Sequence, residues 1–235
     1  MTETCETPWH DHQWGQLYWL ESGVINVETG KAQWTVTPGS VGWTPKDCTH
    51  KVKFFTSVQV YVLNLEYSDA EGFPNEPRVS GMNTFLETLL QRTVECDRSS
   101  YPQSYIDHLV ALLAYEVARL QELPLRLPLP LDRRARNIAD ELLKSPSSHL
   151  SQEQLASQWG VSVRTLSRIF SKQTGLTFSQ WRQQSKIITS LALIQKGLSI
   201  SEVAEQSGYT NVSAYIEAFR QRFGETPGKF QVKLI

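Results

Sequence analysis

The sequence predicts an α+β chain: a small N-terminal β-barrel with helices after it, then an all-α C-terminal domain built on two helix-turn-helix units. Three observations predict this. Residues 14–67 consist of short segments rich in Val, Trp, Tyr and Thr, parted by turn clusters. From about residue 82 the apolar period lengthens to that of a helix. The last third of the chain then repeats itself.

The strands are GQLYWLES, GVINVET and AQWTVT, then HKVKFF and SVQVYVLNLEY after a break, with ETGK, TPGS and TPKD as turns. FLETLLQRTVE and SYIDHLVALLAYEVARLQE read as helices. The second places Leu109, Leu112, Leu113, Tyr115, Val117 and Leu120 on a broad apolar stripe that needs a partner surface, which predicts a homodimer through this region. In LPLRLPLPLD the prolines Pro124, Pro128 and Pro130 forbid a continuous helix and read as a semi-rigid linker. The expected organisation is a barrel over 1–80, helices for dimerisation over 81–122, a linker over 123–131 and an all-α domain over 132–235.

The net charge of −1 conceals a division. Residues 1–131 carry 9 Lys and Arg against 16 Asp and Glu, a net −7, whereas residues 132–235 carry 14 against 8, a net +6. Only the second half is suited to a polyanion. No apolar run approaches the roughly 18 residues of a membrane span, and MTETCETPWHDH lacks the apolar core of a secretory signal. Cys5, Cys48 and Cys96 form no C-x-x-C pair and suit a reducing cytoplasm. No P-loop, dinucleotide motif or catalytic triad is present.

The repeat carries the functional signal. SQEQLASQWGVSVRTLSRIFSKQTGLTFSQW begins at residue 151 and SISEVAEQSGYTNVSAYIEAFRQRFGETPGKF at 199. One on the other, they pair Ala156 with Ala204 and Gly160 with Gly208; after one inserted residue, Phe170 pairs with Phe219 and Gly175 with Gly224. The units fall at about 152–173 and 200–222. Ser151-x-x-Gln154 and Ser199-x-x-Glu202 are capping boxes for the first helices. Gly160 and Gly208 supply the turns, and Ser162 and Asn211 cap the second helices, which would enter the major groove of double-stranded DNA. With Leu166, Ile169 and Phe170, and Tyr215, Ala218 and Phe219, facing the core, Arg164, Thr165, Ser167 and Arg168 point outward in the first unit. Val212, Ser213, Ile216 and Glu217 do so in the second. A plain helical bundle would not repeat these features in register on its basic half.

Residues 133–231 resemble the DNA-binding domain of the AraC/XylS family, most specifically in SVRTLSRIFSKQTGLTFSQWR, IQKGLSISEVAEQSGYTN and FRQRFGETPGKF. FSQWRQQSKI and the LPLPLD lead-in resemble one subgroup within it. The resemblance implies seven helices, recognition helices at about 163–173 and 212–222, and base contacts at Arg164, Ser167 and Arg168 and at Val212, Ser213, Ile216 and Glu217. Because the second set is poor in long polar donors, the first unit is the expected source of specificity. Double-stranded DNA, a small-molecule or metal effector and RNA polymerase are the partners implied.

His10-Asp11-His12, Gln16 and Gly23 resemble the first motif of a cupin barrel, and Pro45-Lys46-Asp47-Cys48-Thr49-His50 resembles the second, with Asp47 where a glycine is usual. Strand alternation puts His10, His12 and Gln16 on one face, and His50, Val52 and Phe54 on another, leaving Lys51 and Lys53 to water. The resemblance implies that His10, His12, Gln16 and His50 form a metal or effector site. Gln16 stands where a metal-binding cupin has glutamate, so the imidazoles would carry any divalent ion. Trp14, Trp19, Trp34 and Trp43 belong to barrel core or a pocket wall. A metal-dependent cupin enzyme with accessory helices is the alternative reading; Gln16 and the paired helix-turn-helix units weigh against it.

Overall fold

The computed structural model describes residues 5–55, 57–66, 72–96 and 100–234. They group into two units, one of residues 1–27 and 34–123, the other of residues 28–33 and 124–235.

The first unit contains β1 (Cys5–Glu6), β2 (Gly15–Ser22), β5 (Ser40–Thr44), β6 (His50–Phe54), β7 (Gln59–Leu65), β8 (Arg78–Gly81), α1 (Thr84–Glu95) and α2 (Gln103–Arg119). It also holds most of β3 (Ile25–Thr29) and β4 (Ala32–Val36), whose connecting tip belongs to the second unit. One antiparallel sheet runs β7-β2-β5-β8, and β1-β6-β3-β4 forms another. Leu17, Trp19, Val41 and Trp43 alternate onto one face of the first sheet, where Leu86, Leu89 and Leu90 of α1 and Ile106, Val110 and Leu113 of α2 complete a buried core. All five expected strands form. The strands β1, β5 and β8 were not among them, and Tyr67, expected at the end of β7, lies outside the described residues.

Two glycines make the β2–β5 pairing possible. Tyr18 faces Gly42 across the ladder, and a Cβ on Gly42 would lie 2.1 Å from the Tyr18 ring. A Cβ on Gly15 would meet the Trp43 indole at the same distance. Each ring lies over a bare glycine backbone.

The apolar stripe of α2 is narrower than the sequence predicts. The residues buried there are Ile106, Val110, Leu113, Ala114 and Val117, a regular i, i+3/i+4 row, while Leu112 and Tyr115 are exposed at 39% and 57%. Leu113 therefore belongs to the core of its own chain.

The second unit contains the hairpin tip, β9 (Arg126–Pro128) and the helices α3 (Arg133–Lys144), α4 (Gln152–Gln158), α5 (Val163–Thr174), α6 (Phe178–Gln195), α7 (Ile200–Gln206), α8 (Val212–Phe223) and α9 (Pro227–Leu234). The seven helices match the number the resemblance implies. The segment expected as a linker is instead fastened to this unit. β9 extends the second sheet beside β4, and Leu125, Leu127 and Leu129 are buried. Trp181 Nε1 donates to the Pro128 carbonyl at 2.7 Å, and Arg222 donates to the carbonyls of Pro124 and Arg126. The prolines do exclude helix, as expected. The alternating leucines, with their period of two, signal a docked strand.

Replacing Gly42 with alanine should push Tyr18 off the ladder and cost about 1–3 kcal/mol. Urea denaturation should show a lower midpoint for Gly42→Ala, whereas an unchanged midpoint would mean that the ring moves aside freely.

Candidate functional site

In the second unit each helix-turn-helix is set by its own caps. Ser151 with Gln154 and Ser199 with Glu202 close complete capping boxes on α4 and α7. Thr177 with Gln180 forms a third, on α6. Gly160 and Gly208 have φ of 63° and 75°. At Gly208 a Cβ would also lie 2.8 Å from Ser147 Cα, so both conformation and space require glycine. Ser162 Oγ accepts from the Thr165 amide at 3.2 Å and Asn211 Oδ1 from the Ser213 amide at 2.7 Å, which starts α5 and α8.

Between the two helix-turn-helix motifs, α6 is tied to the segment that precedes α4 and to the turn that follows α7. Arg182 donates to the carbonyls of Ser148 and Leu150, and Lys186 Nζ donates to the Gly208 carbonyl at 2.7 Å. Partial burial lowers the pKa of each, and Arg182 adds a smaller repulsion at Lys186. Ser190 Oγ and the Tyr215 hydroxyl, 2.9 Å apart, join α6 to α8.

Leu166, Ile169 and Phe170 of α5, and Tyr215, Ala218 and Phe219 of α8, are buried as expected. Arg164, Ser167 and Arg168 are exposed and Thr165 is half-buried. The Ser167 hydroxyl accepts from Gln152 Nε2 at 2.8 Å, which leaves the two arginines as the long free-standing donors of this face. Lys172, one turn beyond Arg168, extends the row. In α8, Ser213 and Glu217 are exposed while Val212 and Ile216 are half-buried. Glu217 pairs with Arg220 at 2.6 Å and accepts from Gln221. Arg220 and Gln221 are exposed beside Glu217 and were missed from the sequence, where no capping or core pattern marked them.

In the first unit three of the four residues expected to form a sensing site converge. His10 and His50 exchange main-chain hydrogen bonds of 2.9 and 2.8 Å, and the Asp47 amide donates to the His12 carbonyl at 2.8 Å. Asp47 has φ 57°, the conformation that glycine adopts most easily at this place. One ring nitrogen from each of His10, His12 and His50 lies within 4.8 Å of the others. Nδ1–H of His10 donates to the Pro8 carbonyl and that of His50 to the Cys48 carbonyl, both at 2.8 Å, which turns each Nε2 free. Desolvation holds His50 and His12 below the usual imidazole pKa, with repulsion from His10 adding to it. His12 and Trp14 stack with centroids 5.1 Å apart.

The strand geometry expected for His10 and His12 is not what forms. His10 sits in an isolated bridge and His12 in irregular chain, so the loop brings them to His50. Gln16 lies on β2, where its Nε2 donates to Asn64 Oδ1 at 3.2 Å. It meets His50 in a cavity of about 90 Å³, whose walls include Tyr18, Ile25, Val27 and Phe54. His50, Val52 and Phe54 do share that face, whereas Lys51 and Lys53 approach Glu6 of β1 at 3.7 and 3.9 Å. Trp34 and Trp43 are core residues, and Trp14 is exposed at its edge.

Residues 155–233 match a family model described as a helix-turn-helix domain. Residues 2–157, well over half of the chain, match the model of the AraC-like ligand binding domain. The chain belongs to the AraC family. It is 27% identical to the HTH-type transcriptional regulator NimR of Escherichia coli over 233 residues, 99% of this chain and 85% of NimR. It is 31% identical to RipA of Corynebacterium glutamicum, also an HTH-type transcriptional regulator, over 91% of this chain and 61% of RipA. Among solved structures, ToxT of Vibrio cholerae aligns with a TM-score of 0.44 at 14% identity, covering 99% of this chain and 91% of that one. This AraC-family protein is a DNA-binding transcriptional regulator with an N-terminal ligand-binding domain.

Arg168 is exposed on the first reading helix of this regulator, and its guanidinium suits the O6/N7 edge of guanine. Arg168→Ala should cost about 1–3 kcal/mol on a selected duplex and far less on random DNA. Equal losses on both, measured by fluorescence anisotropy, would assign Arg168 to phosphate alone.

Proposed function

We propose that this AraC-family regulator senses its effector at His10, His12 and His50, with a divalent transition metal ion as the favoured occupant. The observation that carries the reading is the convergence of three imidazoles, two with Nδ1 fixed by carbonyls. Three neutral nitrogens suit Zn(II), Fe(II), Ni(II) or Mn(II). Gln16, in the adjoining cavity, would face whatever shares the site. An anionic organic effector is the second reading; it draws on the same imidazoles in their charged form. The split of charge and the three free cysteines support a cytoplasmic protein bound to DNA, where it would act on RNA polymerase.

Trp14 lies against His12 and should report occupancy by a change in tryptophan emission when Zn(II) or Co(II) is added. Metal binding requires neutral rings. Because the folded protein holds His12 and His50 below about 6.5, affinity should stay level from neutral pH to that point and fall on further acidification. The same sign applies to the metal-free protein: below about 6.5 the unfolded histidines take up protons that the folded ones resist, so stability should decline. Binding of organic anions that tightens in acid, with no response to metal, would move the reading to an anion site.

Homodimerisation through α2 belongs to the same proposal, supported by exposed Leu112 and Tyr115. Light scattering of Leu112→Glu/Tyr115→Glu should give a monomer where the parent gives a dimer; a parent already monomeric at tens of micromolar removes the dimer.

A further inference from the structure

The tip of the β3–β4 hairpin is built into the DNA-binding unit. Glu28 has a side chain only 2% exposed, and its carboxylate pairs with the guanidinium of Arg136 on α3. The same guanidinium donates to the Gly30 carbonyl at 3.2 Å and to Asp140 at 3.1 Å. The Leu129 amide donates to the Lys31 carbonyl at 2.8 Å. Thr29 Oγ1 accepts from the Lys31 and Ala32 amides, so the tip itself is rigid. A buried ion pair with these accessory bonds has one geometry, and a carboxylate that lost Arg136 would remain out of water.

What lies on either side of this pair gives it a direction. Val27, next to Glu28 in the chain, lines the cavity shared by His50 and Gln16, as does Ile25. Neighbouring residues of a strand face opposite ways, so a displacement of Val27 is a displacement of Glu28. On the other side, Ala135, Ile138, Ala139 and Leu142 of α3 share a core with Leu166 and Phe170 of α5. Glu141, further along α3, accepts from Trp159 Nε1 at 2.8 Å in the first helix-turn-helix.

We propose that the Glu28–Arg136 pair couples the histidine site to the first reading helix: occupancy shifts β3, the pair passes the shift to α3, and α3 re-seats α5. This rests on the reading of that site as the sensor. A ligand acts here only by its difference in affinity between two settings of the hairpin.

The test is amide hydrogen exchange of the full chain with two independent inputs. One is Zn(II), its binding followed through Trp14. The other is Val52→Phe, which fills the cavity without any ligand. With the pair intact, either input should change exchange over residues 133–174 by about fivefold or more. In Arg136→Met and in Glu28→Gln, Zn(II) should still alter Trp14 emission, but neither input should reach α3 or α5. A purely structural pair would raise basal exchange in these variants while leaving the response to the inputs, and that result overturns the coupling. So does an absence of response to Val52→Phe in the parent. Failure of Zn(II) alone to perturb Trp14 rejects the metal reading, and the Val52→Phe comparison still decides the coupling.

Discussion

The spacing of the two helix-turn-helix units is fixed by a single helix, and the rest of the second unit depends on it. α6 is 18 residues long, about 27 Å at 1.5 Å per residue. Its Arg182 and Lys186 hold main-chain carbonyls before α4 and in the α7–α8 turn. Partial desolvation makes such bonds strong and their loss costly. Trp181, fully buried, carries the same helix onto the β9 segment. These few contacts join the two helix-turn-helix units, each set by its own caps, to one helix.

The two reading faces then differ in kind. α5 offers Arg164, Arg168 and Lys172 at successive turns, and none of them forms an ion pair among the described residues. In α8 the charged groups at the corresponding depth, Glu217 and Arg220, satisfy each other. An arginine already held by its neighbour must exchange partners to meet a base, whereas Arg164 and Arg168 have no such competitor among the described residues.

The helix-turn-helix units were legible in the sequence because every cue was local: a capping residue, a glycine at the turn and an apolar period of 3.6. The histidines were legible as a set, but not as a geometry. Their convergence depends on the His10–His50 main-chain pairing and on Asp47 at positive φ, which are contacts across some forty residues. β5 was hidden because SVGWT, with Gly42 at its centre, has low strand propensity until Tyr18 covers that glycine. On α2, counting apolar residues widened the stripe, because the count cannot distinguish Leu112 from Leu113 without knowing which way the helix faces. In 123–131 the prolines drew attention away from Leu125, Leu127 and Leu129.

The hairpin tip has a consequence for synthesis. The DNA-binding unit is not contiguous in the sequence: Glu28 and Arg136 are separated by 108 positions. On a ribosome adding about 5–20 residues per second, the glutamate emerges roughly 5–20 s before its arginine. Until then a carboxylate destined for burial is hydrated, and the tip has no partner helix to close upon. A nascent chain that packs its strands early must still leave residues 28–33 accessible, and the late closure of this loop is a natural point for a chaperone or a protease to intervene.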